Sequence, residues 1–212
     1  MSAPPSASGS HGCSTAISMA WEKLVERNVD QVATFSGARR DGASLHLPFF
    51  ETVLTVDEAR RKVGLEGMEA EPSVSVLALH YLLGCDEHAP SGRLISFGEA
   101  PGGDAYLRAF RARTIERIAS EFASRPWGLV EAGRRVNGAE FRLGSFAVQV
   151  LVFPKLPVTV VLWEGDDEVP ASANVLFDSS APGILATEDL AVAGAMVASR
   201  LSRVFSRLSS DR

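Results

Sequence analysis

The sequence predicts an α+β fold, a single domain in which a largely antiparallel sheet is covered by helices and closed by a long C-terminal helix. Three observations predict it. Helical and strand periodicities follow one another without the strict alternation of a doubly wound sheet. Two apolar runs lie side by side in the chain, joined only at Pro154 to Pro157. The last stretch carries apolar residues at helical spacing, with acids at its start and arginines near its end, matching the helix dipole.

Taken in order, residues 1–14 are rich in Ser, Pro, Ala and Gly and hold almost nothing that can pack. They are expected as a disordered tail ahead of one globular domain over 15–212. From Ser14, the positions Trp21, Leu24, Val25, Val32 and Phe35 recur near helical spacing and predict a first amphipathic helix. "SGARRDGASLHLPFFETVLTV" predicts a hairpin around Pro48 to Phe50, and "DEARRKVG", acids before bases, predicts a short helix. Pro72 and Gly84 bracket a buried helix. A strand in "GRLISFG", a glycine-rich loop and Asp104 as N-cap predict a long helix to about residue 123. An Asn137-Gly138 turn precedes the two apolar strands, whose apolar residues on both faces mark them as central. "ANVLFD" reads as one more strand. Thr187 is expected to cap the closing helix, whose Leu190, Gly194, Val197, Leu201, Val204 and Leu208 form a seam. That seam suits core contact, and a homodimer zipper is its alternative.

At 212 residues, 46% hydrophobic, the chain can fill a core, which its mean hydropathy of +0.08 also suits. A net charge of -5 and a pI near 5.4 exclude an electrostatic grip on nucleic acid or anionic lipid as the main role. No apolar run approaches the roughly 20 residues of a membrane span, and no signal peptide is recognisable, so a cytoplasmic address is expected. Cys13 and Cys85 form no Cys-x-x-Cys pair, against a cysteine-only zinc or iron–sulfur site. No G-x-S-x-G elbow, H-E-x-x-H or reactive-cysteine signature supports a hydrolase.

Four stretches, "LALHYLLG", "SGRLISFGEAPGGDAYLRAF", "FPKLPVTVVLWEGDDEVPASANVLFD" and "ATEDL", in this order and spacing, resemble a bacterial and archaeal family of domains of unknown function. The resemblance runs from Trp21 to about Leu190 and is strongest over Phe153 to Asp178. It implies a family common in anaerobes, beside corrinoid or carbon-monoxide metabolism, with some members carrying a cysteine-rich iron–sulfur segment that this chain lacks. It also implies a shared fold and a cofactor pocket built from His80, Tyr81, the Pro101-Gly102-Gly103 loop and the corner Asp166, Asp167 and Glu168.

Each of these groups has a plain reading beside the chemical one. The acidic corner offers hard oxygen ligands, and one of two close carboxylates can hold a proton; an acidic turn also keeps a sheet end solvated. The loop "GEAPGGDAY" aims backbone N–H groups at an anion, but the Asp104 carboxylate competes for them. His80, on an apolar helix, is either a satisfied core imidazole or an axial ligand to a tetrapyrrole metal. As a metal set, His80, Asp166, Asp167 and Glu168 are the candidates. Cys85 and His88, and likewise His11 and Cys13, make incomplete pairs.

The expected function is therefore a small-molecule or metal-cofactor binding accessory protein, the ligand being a corrinoid or another tetrapyrrole, held between helices and sheet. The alternatives are an enzyme using the acids and His80 as acid/base or metal-holding residues, and a protein-interaction or assembly factor. No catalytic residue is assigned.

Overall fold

The structure, a computed structural model, describes residues 7–210, with side chains from Gly12 onward. The start of the expected tail, residues 1–6, and the side chain of His11 lie outside the described residues. The fold is α+β with two antiparallel sheets, and the chain divides into two compact units. One comprises the described residues up to Pro48 together with Thr52–His88, and the other Phe49–Glu51 with Ala89–Arg212.

In the first unit, helix α1 (Ala7–Val25) begins inside the stretch expected to be loose, and Trp21 and Leu24 bury on its inner side. The expected single helix is broken after Val25. Asn28 takes extended backbone, and its side chain accepts from the amides of Asp30 and Gln31, starting α2 (Val29–Ser36) as a separate helix. Five strands follow in sheet order: β1 (Arg39–Asp41), β2 (Ser44–Phe49), β3 (Thr52–Asp57), β4 (Lys62–Leu65) and β5 (Met68–Glu69). The short helix expected over 57–64 does not form. Asp57 instead accepts from the Arg60 amide, and Asp57 pairs across to Lys62 in a β3–β4 hairpin that buries Val56 and Val63. Burying two valines on one face of a hairpin outweighs the weak dipole pattern that favoured a helix. Helix α3 (Pro72–Gly84) runs as expected, buries Val74, Leu77, Ala78 and Leu82, and packs against α1, α2 and β4.

In the second unit the sheet order is β6 (Leu94–Ser96), β10 (Ser172–Asp178), β9 (Leu156–Trp163), β8 (Phe146–Phe153), β7 (Ala139–Glu140), with every pairing antiparallel. All of Leu156–Leu162 is buried, as a middle strand requires. Helices α4 (Gly103–Arg113), α5 (Ile115–Phe122), α6 (Gly128–Arg135), the short α7 (Ala181–Ile184) and α8 (Thr187–Ser210) complete the unit. α5 packs on β10, α6 on β8, and α8 lies against α4, α5 and α6.

The helix expected to continue to residue 123 stops at Thr114. Its hydroxyl donates to the Phe110 carbonyl at 2.7 Å while its backbone leaves helical angles, φ -125° and ψ -75°. This local bond competes with the helical ladder. The bend lets Phe110 and the Ile115, Ile118, Phe122 stripe all reach the interior. On α8 the seam residues Leu190, Gly194, Val197 and Leu201 are buried, with Gly194 directly under the Phe110 ring. Thr187 is the first helical residue, not a cap, and its hydroxyl donates to the Pro101 carbonyl at 2.6 Å.

The turn Phe49–Glu51 packs within this unit. Phe50 donates its amide to Val152, Phe49 meets Phe153 with ring centroids 5.3 Å apart, and Arg200 lies over both Phe49 and Phe50 while pairing with Glu51. Phe50 has φ +52°, a conformation costly for a bulky residue, and its burial offsets that cost.

Candidate cleft at the face of helix α6

The residues singled out from the sequence are held largely by their own surroundings. His80 and Tyr81 sit on α3 in the first unit. His80 is half-buried and engaged; Tyr81 is fully buried, its hydroxyl donating to the Ser36 carbonyl at 2.9 Å. Of the Cys85 and His88 pair, Cys85 is buried, whereas exposed His88 lies 2.8 Å from the Asp86 carboxylate.

In the second unit, Gly102 is left-handed at φ +72°, which favours glycine, and it takes the N-cap position expected for Asp104. Asp104 follows in the first turn of α4. Gly103 donates its amide to Ala100, and a Cβ there would run into the Phe97 carbonyl. Gly102 thus serves a left-handed turn and Gly103 a close backbone approach. Ser96 and Glu99 form a reciprocal cap on the single 3-10 turn before the loop, the Ser96 hydroxyl and amide together holding the Glu99 carboxyl low. Further along, the Tyr106 hydroxyl meets Glu188, which raises the phenol and helps, after Glu188's own amide, to lower the carboxyl.

At the tip between β9 and β10, the exposed Asp166 carboxylate accepts from the amides of Glu168 and Val169 at 2.9 and 2.8 Å, and these bonds hold it below its ordinary range. It is ionised at neutral pH, the reverse of a proton-holding acid. Asp167 and Glu168 are exposed beside it. Among the described residues, no three His, Cys, Asp or Glu side chains group so that they could hold a metal ion.

A further acid, unassigned by sequence reasoning, is densely hydrogen-bonded. Asp178, 2% exposed at the end of β10, accepts from the Ser91 amide and hydroxyl, the Gly92 amide and the Ser180 amide and hydroxyl. Burial pushes its carboxyl up, but the bonds from Ser180 and Ser91 prevail and bring it down to about 2. It fastens the 91–93 loop to the strand end.

One open space of this unit, among the described residues, lies elsewhere. A cleft of about 400 Å³ is lined by Trp127 at the N-cap of α6, by Val130, Glu131 and Arg134 of that helix, by Glu140 from β7 and by Phe146 from β8. The cap residue and the three α6 positions fall at i, i+3, i+4 and i+7, one face of a helix. The opposite face, Leu129, Ala132 and Gly133, is buried. Gly133 and Gly138 lie against Val148, and Gly128 against Phe205, so α6 sits closer to β8 and α8 than side chains would allow. Its end is fixed by Gly138 donating to the Gly133 carbonyl, with Asn137 left-handed at φ +58°. The expected Asn-Gly turn is thus a helix stop.

Trp127 remains 52% exposed at the cleft. Arg134 and Glu140 pair across the cleft at 3.1 Å. Behind Glu131 stands Arg125, 3.8 Å away and stacked 4.6 Å over the Phe205 ring. The sequence signal for this face was present in "PWGLVEAGRR". Its two glycines lower helix propensity and hide the helix.

A family model described as Domain of unknown function (DUF3786) matches residues 28–200, most of the chain. The chain belongs to this family. The DUF3786 match runs from the cap of α2 into α8 and includes every residue of the α6 cleft. No curated protein and no solved structure matches the chain. In the first unit of this DUF3786 protein, a groove of about 390 Å³ is lined by residues including Asp57, Arg60, Lys62, Met68 and Glu69. Its charges are taken up in the pairs Asp57–Arg60 and Lys62–Glu69. None of the seven residues predicted from the sequence lines either space. No helix among the described residues is long and apolar enough to cross a membrane.

Proposed function

We propose that this protein is a small-molecule-binding accessory protein whose ligand lodges in the cleft between α6 and strands β7 and β8. The observation that carries the reading is the half-exposed Trp127 indole at the head of a helical face with Val130, Glu131 and Arg134, opposite Phe146. A concave space of this size, with aromatic walls and a few charged groups, is the usual form of a small-ligand site. The helix carrying it is braced by glycine contacts with β8 and α8. Side chains presented from a braced element keep their positions for a ligand.

His80, the axial ligand expected for a corrinoid or another tetrapyrrole, lines neither of the two spaces described. The reading is therefore of a small organic ligand. Native mass spectrometry of the protein purified from its own organism, wild type beside Trp127→Ala, tests it. A stoichiometric organic mass on the wild type, lost from the variant with its circular dichroism unchanged, is expected. A wild type without any such mass, or a variant that keeps it, would end the reading.

A further inference from the structure

We infer that copies of this chain associate head to tail, the acidic arm between β9 and β10 of one copy docking on the outward face of α4 in the next. Both surfaces belong to the second unit, and none of their residues lines the α6 cleft. Gly103 and Phe110 mark the buried side of α4. At about 100° per residue, Ala105, Arg108, Ala109 and Ala112 therefore stand on the opposite side, with Arg111 and Arg113 at its two edges. All of these outward residues are exposed. None of the three arginines pairs with an acid among the described residues, whereas Arg117, further along the chain, pairs with Glu121. The helix thus presents unbalanced guanidinium groups around side chains small enough for another chain to come close.

The complement to that face is on the same chain. Trp163 to Pro170 are consecutive exposed residues beyond the last β9–β10 pair, Trp163 with Ser172. Glu164, Asp166, Asp167 and Glu168 lie among them and likewise make no ion pair among the described residues. No Lys or Arg occurs over 156–199, so the strands that the arm joins supply nothing to offset this charge. Val169, 60% exposed, adds an apolar side chain for the alanines to cover. The arm holds its shape without a partner, since the Asp166 carboxylate accepts from the amides of Glu168 and Val169 and the Asp166 amide donates to the Val169 carbonyl. Docking a preformed arm loses little conformational freedom.

The placement of the two surfaces favours another copy over folding back. The arm leaves the start of β10, whereas α4 packs at its far end, where the Phe110 and Phe177 rings lie 6.1 Å apart. The strand between, about 17 Å from Ser172 to Phe177, keeps them apart in one molecule. A surface that meets a different surface of its neighbour makes a heterologous contact, which propagates beyond a pair. Exposed ion pairs contribute little each, so the association is weak and salt-sensitive.

Sedimentation equilibrium of the full chain tests this with two triple variants. Glu164→Gln, Asp167→Asn and Glu168→Gln together neutralise the arm and keep Asp166, which shapes its turn. Arg108→Gln, Arg111→Gln and Arg113→Gln together neutralise α4. Every replaced side chain is exposed, so both variants should keep the wild-type circular dichroism. At low salt the wild type is expected to grow beyond a pair as its concentration rises, and to come apart at about 0.5 M salt, where the screening length falls to roughly 4 Å. Each variant alone should associate roughly three- to thirtyfold more weakly. Their equimolar mixture should regain the wild-type affinity and stop at one-to-one pairs, because one partner keeps the arm and the other keeps α4. Neither a symmetric interface nor a merely structural role for these residues would give that arrest. A wild type that stays monomeric up to about 1 mM at low salt overturns the inference. So do variants that associate as the wild type does, or a mixture no tighter than its components.

Discussion

At the scale of the residue, Asp178 is the clearest case of a side chain whose role is set by its partners. With its folded pKa near 2 against an ordinary 3.8, it stabilises the fold at neutral pH, where both states are ionised. That contribution, about 2 kcal/mol, declines as pH falls through 3.8 and is gone below about 2. Asp178→Asn keeps the shape but sets an amide against amide donors from Ser91, Gly92 and Ser180. It is expected to destabilise by roughly 2–4 kcal/mol at pH 7. Denaturant titrations at pH 7, 4 and 2.5 should show the gap between wild type and variant narrowing with acid. A constant gap would mean that the carboxylate's charge is not what holds the 91–93 loop. The acids that draw the eye in the sequence behave differently: Asp166, Asp167 and Glu168 stand exposed at a hairpin tip.

At the scale of the element, α6 is decided by contacts its own sequence disfavours. Gly128 and Gly133 weaken an isolated helix, yet both lie against neighbouring side chains, Phe205 and Val148. Gly133→Ala should gain up to about 1 kcal/mol of helix propensity and lose roughly 1–3 kcal/mol by forcing its methyl into Val148. Overpacking wins on these magnitudes, so a lower denaturation midpoint is expected; a higher one would show that α6 has room to shift. Strands β8 and β9 and helix α3 are the opposite case, since long apolar runs with Pro and Gly at their ends leave little choice of structure. Where the signal was a charge pattern, as over 57–64, or an uninterrupted periodicity, as across Thr114, local reasoning went astray. A buried hydroxyl bond and a cross-strand valine pair carry more energy than those patterns.

At the scale of the whole molecule, the division into units does not follow the chain. The turn Phe49–Glu51 clusters with residues 89–212, although the strands on either side of it belong to the first unit. No composition shift marks these crossings, which is why no interior linker is readable. A fragment starting at Ala89 would lack the partners of Val152, Phe153 and Arg200. It should denature at lower denaturant than the same segment in the full chain, read by a probe within it such as Trp163 fluorescence. Equal midpoints would show that the turn contributes nothing to the unit.

The sequence by itself determined the α+β class, the antiparallel central strands and the α3 and α8 helices, because these rest on periodicity and apolar content, properties of neighbouring residues; the family resemblance rests on four specific stretches in order. It also singled out Tyr81, Gly102 and Gly103, expected there as parts of a pocket. Only the tertiary structure decided their use. Whether an amide or a hydroxyl is open to a ligand depends on what else reaches it, and the Ser36 and Ala100 carbonyls reach the Tyr81 hydroxyl and the Gly103 amide first. The cleft at Trp127 became visible for the same reason, because it joins one helical face to residues on two strands that no local pattern ties together.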